Sequence, residues 1–134
     1  MRYGFLFAAI LAFSGWAGEA VACSCGRAAN AAEAMSYAST IFWGRVTATE
    51  TNDDHKRMRV QAWTGKGWVP VTIRTELNSA SCGVDLAHDK VMLIGADRTE
   101  NGLETNLCLM FAISNHQDEI AAMIKDCKPF GACP

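Results

Sequence analysis

Long apolar runs are missing from this sequence. The longest, Phe5–Phe13 (FLFAAILAF), has nine residues, whereas a membrane-spanning helix needs about 20. A membrane span is therefore not expected. An excess of charge of one sign is missing too, with 12 basic and 14 acidic residues in 134. Without a basic stripe, nucleic acid is not the expected partner. There is no repeat, low-complexity tract or long charge run. Histidine is sparse: His55, His88 and His116 are far apart and none stands at the pair spacing of a metal-ligand motif. They are expected in solvated loops or at a helix start. Gly65-Lys66-Gly67 is too short to cradle a phosphate. These absences argue against an enzyme and against a resident cofactor. Asn-x-Ser/Thr sequons are absent as well.

What is present begins at the N-terminus. Met1-Arg2 is a short positive start, Phe5–Phe13 is an h-region, and Ala20-Val21-Ala22 supplies small residues where a signal peptidase reads. Residues 1–22 are expected to be a cleaved signal peptide, with cleavage between Ala22 and Cys23. Residues 23–134 are then one exported domain, secreted or periplasmic, of a length that makes one core and not two. A monomer is expected.

All six cysteines, 23, 25, 82, 108, 127 and 133, follow that cleavage point. An even count in a small exported domain reads as three disulfides. Cys127 and Cys133 are close in sequence and pair locally. Cys23 and Cys25 do not bridge easily across one residue, so they reach Cys82 and Cys108, in an order that spacing leaves open.

The pattern between the cysteines is mainly β. Asn30 and Glu33 form a capping box that opens a helix to about Ala38. Thr40–Glu50 is rich in β-branched and aromatic residues and reads as a strand. A polar turn at 52–56 leads to Met58–Trp63, in which Met58, Val60 and Ala62 share a face. After a turn at Gly65-Lys66-Gly67, Trp68–Thr75 places Val69, Val71 and Ile73 on one face. Lys90–Ala96 reads as a buried strand, Asn101-Gly102 as a hairpin signal and Leu103–Leu107 as the returning strand. Ser114 and Gln117 make a second capping box, with a helix to about Lys125. Five or six short strands in so small a domain suggest a closed or nearly closed barrel, which removes exposed sheet edges. Trp43, Trp63 and Trp68 read as core or edge packing, or as a binding surface if exposed.

Three features together resemble a known family. They are Cys23-Ser24-Cys25 at the expected mature N-terminus, the strand IFWGRV, and the stretch SASCGVDLAHDKVMLIGADRTENGLETNLCLM over residues 79–110. This order resembles the N-terminal domain of the tissue inhibitors of metalloproteinases. The resemblance implies a five-stranded OB-type barrel, the netrin-like module. It also implies the pairs Cys23–Cys82 and Cys25–Cys108. The chain departs from the family in having Gly26-Arg27 where a proline is usual, and in lacking any cysteine between 26 and 81 for the family's third bridge.

The Cys-Ser-Cys start has a chemical reading. Cleavage at Ala22 would free the Cys23 α-amine, whose ordinary pKa of about 8 leaves a ligating neutral form accessible near pH 7. Amine and carbonyl of one residue make a bidentate chelate. Catalytic zinc in a protease keeps an open position for water, which such a chelate would fill. Two bridges within three residues would pin a terminus that otherwise loses entropy on binding. The resemblance implies that Ser24 enters the protease specificity pocket, and that Cys23, Ser24, Cys25, Gly26, Ala80, Ser81 and Cys82 form the inhibitory ridge. The expected function is inhibition of a zinc metalloprotease. Alternatives are a netrin-like binding module with a protein, glycan or lipid partner, and a lipoprotein anchored at Cys23.

Overall fold

Alternation of apolar and polar residues is what lets the sheet of this protein roll up and close. The computed structural model describes residues 23–124. The expected leader and its cleavage point, the Cys127–Cys133 pair and the expected helix end at Lys125 lie outside the described residues. Among the described residues there are five strands: β1 (Thr40–Thr51), β2 (His55–Trp63), β3 (Trp68–Glu76), β4 (Met92–Thr99) and β5 (Gly102–Glu104). They form a closed barrel in the order β1-β2-β3-β5-β4, the OB type. Neighbours are antiparallel except β3 and β5, which pair in parallel through Ile73 with Leu103 and Arg74 with Glu104.

β1 serves two partners. Its first residues, Thr40–Gly44, pair with β4, and Gly44 onward pairs with β2. The register shifts between Val46 and Ala48. Such a bulge bends a strand and increases its twist, which barrel closure needs.

The barrel is filled by Phe42, Val46, Met58, Val60, Ala62, Ile73 and Ile94, with Val84 and Met110 added to the same cluster. A second layer packs outside β1 and β4. It joins α1 (Ala31–Ser36), α2 (Leu107–Asn115) and α3 (Gln117–Ile124) through Ala31, Ala34, Leu93, Ala112, Ile113, Ile120 and Ile124, with Ile41 and Trp43 packed against them. Period-2 alternation explains the split, since Phe42 faces inward while Ile41 and Trp43 face the helices. Among the described residues no helix is long and apolar enough to cross a membrane.

Several sequence expectations change. The returning strand ends at Glu104, and Leu107 opens α2 instead of closing a strand. Asn106 caps that helix, its side chain accepting from the Leu109 N–H at 2.9 Å. Ser114 is not a cap: it lies inside α2 and its hydroxyl donates to the Phe111 carbonyl. The fourth strand runs Met92–Thr99 and α1 stops at Ser36. His55 is not a solvated turn residue. It begins β2 at 6 % exposure, and its Nε2 accepts from Arg57 Nε at 3.1 Å. Turn chemistry does hold there, because Asn52 Oδ1 accepts from the N–H of both Asp54 and His55.

Gly95 lets α2 seat on β4. A Cβ at Gly95 would stand 2.0 Å from Ile113 Cδ1, and Ile113 is fully buried. Gly95→Ala should therefore cost about 1–3 kcal/mol as overpacking. Adding Ile113→Val, which removes that Cδ1, should recover part of the loss, so the double variant is less unstable than the two single losses summed. Denaturant midpoints of the four proteins test this.

Candidate functional site

The strip before α1 has no regular structure over residues 23–28 and is held from both ends. At its start Cys23 is bonded to Cys82, with Cα atoms 5.1 Å apart, and Cys25 to Cys108, with Cα atoms 5.0 Å apart. The two bridges touch, Cys23 Sγ lying 3.6 Å from Cys108 Sγ. They close loops of 59 and 83 residues, worth about 4 kcal/mol each in the chain-entropy model.

The other wall of the site is a short 3-10 turn, Ser79–Ser81. Asn78 caps it: its Oδ1 accepts from the Ser81 N–H at 3.1 Å. The Asn78 carbonyl accepts from the Gly83 N–H at 2.7 Å and from Ser81 Oγ at 3.1 Å. Cys82 takes a left-handed backbone, φ 67°. Gly83 then passes so close to β3 that a Cβ would lie 2.2 Å from the Glu76 carbonyl oxygen. Only glycine fits there. The Cys82 carbonyl accepts from the Leu107 N–H at 2.8 Å. Cys82 and the first turn of α2, which carries Cys108, are thus joined by main chain as well as through sulfur.

Downstream, the strip is tied to the helical layer. His116 Nε2 donates to the Ala28 carbonyl at 3.1 Å. Glu33 accepts from the Ala29 N–H at 2.7 Å and from the Tyr37 hydroxyl at 2.9 Å, while Asn30 caps α1. The Ala29 amide, then the Tyr37 hydroxyl, hold the Glu33 carboxyl below its ordinary value of 4.5. The same contact with Glu33 raises Tyr37.

The expected ridge residues come together as a group. Ser24, Gly26, Arg27, Ala80 and Ser81 are exposed, and Cys23, Cys25 and Cys82 are half-buried beneath them. A Cβ at Gly26 would meet nothing within 4 Å, so the surface is open on that side. Asn78 and Gly83 support the site without being expected there, and His116, expected to be solvated, is half-buried and anchors Ala28. Asn78 and Asn106 are of a residue type favoured as an N-cap, but Ser81 and Leu109 stand where a capping box would have Glu or Gln. Gly83 and His116 carried no readable signal, since their partners, Glu76 and Ala28, are set by the fold.

The histidines form no cluster. Apart from His55 and His116, His88 Nε2 lies 2.9 Å from Thr49 Oγ1 beside the Val46–His88 bridge. The tryptophans divide. Trp43 packs in the helical layer, whereas Trp63 and Trp68 are 38 % exposed cross-strand partners with ring centroids 5.3 Å apart. The Arg45 guanidinium stands 5.3 Å over the Trp68 ring. The chain matches no family model, and no curated protein is recognisably similar to it.

Because Glu33 has a lowered folded pKa, it adds stability above pH 4.5 that is lost as pH falls through the folded value. Glu33→Gln should therefore lower the thermal midpoint at neutral pH. The gap from the parent protein should close on acidification below the ordinary carboxylate range. A gap independent of pH would show that the charge of Glu33 is not what holds Ala29 and Tyr37.

Proposed function

We propose that this protein inhibits zinc metalloendopeptidases in the manner of the tissue inhibitors of metalloproteinases. The free amine and carbonyl of Cys23 would chelate the protease zinc, and Ser24 would enter the specificity pocket. The observation that carries this reading is the pinned Cys23-Ser24-Cys25 strip, bolted by two touching bridges to the 79–82 turn and to α2. An exposed strip held that way loses little freedom on binding, and its exposed flank, Ala80 and Ser81, widens the contact. The site would work on an exported protease, as the expected leader requires. The protein supplies no metal of its own in this reading; the zinc belongs to the target.

A second reading rests on Trp63, Trp68 and Arg45, which put an aromatic pair and a cation on the barrel wall, at the turn end of the β2–β3 hairpin. That surface suits a binding module with no protease target.

The test is inhibition of zinc endopeptidase catalytic domains by oxidised protein beginning at Cys23. One added alanine before Cys23 should abolish inhibition and leave the thermal midpoint unchanged, because it converts the amine to an amide that does not ligate. Ser24→Gly should shift preference among proteases. Equal inhibition with and without the alanine, or none with either, would turn the search to a partner on the barrel wall. An intact mass bearing acyl chains on Cys23 would establish a lipoprotein and exclude chelation.

A further inference from the structure

Four sulfurs are gathered at one corner of the barrel. The Sγ atoms of Cys23, Cys82 and Cys108 lie within 4.8 Å of one another, and Cys25 is bonded to Cys108. A tetrahedral zinc with Zn–S bonds of ~2.3 Å sets its sulfurs ~3.8 Å apart. The separation between the two bridges, 3.6 Å from Cys23 Sγ to Cys108 Sγ, already approaches that edge. Two changes remain: to part each bonded pair from ~2.05 Å to ~3.8 Å, and to bring in Cys25 Sγ, which is bonded to Cys108 but stands outside the 4.8 Å group of the other three; rotation of side chains on the irregular 23–28 strip supplies both.

The backbone holds two of these ligands in place without the bridges. The Cys82 carbonyl accepts from Leu107 beside Cys108. The Asn78 cap and the Gly83 passage under Glu76 set the 79–82 turn. The other two, Cys23 and Cys25, are tethered within a few residues of Ala28, which His116 anchors. A closed structural zinc site needs four ligands within tetrahedral reach, and the binding free energy of the metal orders those that are not already placed.

We propose that the reduced form of this protein binds one Zn²⁺ in a tetrathiolate site made by Cys23, Cys25, Cys82 and Cys108. A dithiol reductant gives two electrons and two protons to each bridge, and each dithiol becomes a disulfide. Zinc then displaces the four thiol protons to solvent. The ion closes the same loops that the bridges closed, so the barrel and its N-terminal strip keep their connection through either cross-link. The site is independent of the inhibitory reading, because it needs thiolates and not the free α-amine.

The test uses the full chain carrying Cys127→Ser and Cys133→Ser, reduced with a phosphine, and Co²⁺ as the probe, followed by Zn²⁺. One Co²⁺ per chain is expected, with sulfur-to-cobalt charge transfer and the intense visible bands of tetrahedral cobalt, displaced by one Zn²⁺. Zinc should also raise the thermal midpoint of the reduced chain. Adding Cys108→Ser should weaken binding by more than the ~10–100-fold that loss of an outer-shell partner costs. The oxidised chain should take up no cobalt with that spectrum. The proposal is overturned by absence of charge transfer in the reduced chain, by binding that survives Cys108→Ser, by the same spectrum from the oxidised chain, or by one metal shared between two chains.

Discussion

The joint at 104–108 carries more of this structure than any other segment. β5 is three residues long, yet it closes the barrel by lying parallel to β3 and antiparallel to β4. The next residue, Thr105, is 4 % exposed. It locks both neighbours at once: its N–H donates to the Arg74 carbonyl at 2.9 Å and its hydroxyl to the Gly95 carbonyl at 2.7 Å. Asn106 then caps α2, Leu107 holds the Cys82 carbonyl, and Cys108 holds Cys25. Barrel closure, helix start and site geometry are thus consecutive on the chain. A short strand suffices because buried hydrogen bonds at Thr105 and a covalent bond at Cys108 finish the closure.

The site is covalent at one end and polar at the other. Touching bridges fix Cys23 and Cys25, while His116 and the Glu33 network fix Ala28 and Ala29. Between them only Ser24, Gly26 and Arg27 face solvent freely. Such an arrangement concentrates rigidity in a strip that has no regular structure of its own.

Much of the fold was legible from periodicity. Met58, Val60 and Ala62 alternate as an inward face and are all buried, and the β-branched run from Thr40 is a strand. The early helix announced itself through Asn30 and Glu33. Where local reading failed, tertiary contacts outweighed it. Leu107–Met110 is apolar enough for strand or helix, and what makes it helical is the Asn106 cap together with the seat that Gly95 gives Ile113. His55 reads as a turn residue by its polar neighbours, but pairing with Glu76 draws it into β2.

By itself the sequence determined the class of the fold, the capped start of α1 at Asn30, and the set of cysteines available to pin residues 23–25. These follow from side-chain period, capping chemistry and cysteine count, which are local or compositional. Only the tertiary structure decided the strand order and the parallel β3–β5 contact; the pairs Cys23–Cys82 and Cys25–Cys108, which spacing left open and the resemblance implied, are the ones it forms. It also decided that the two bridges touch and that Trp63 and Trp68 stand at the surface. Each of these depends on which distant segments become neighbours. Closing the barrel sets that, through the bend of β1 and the buried bonds of Thr105.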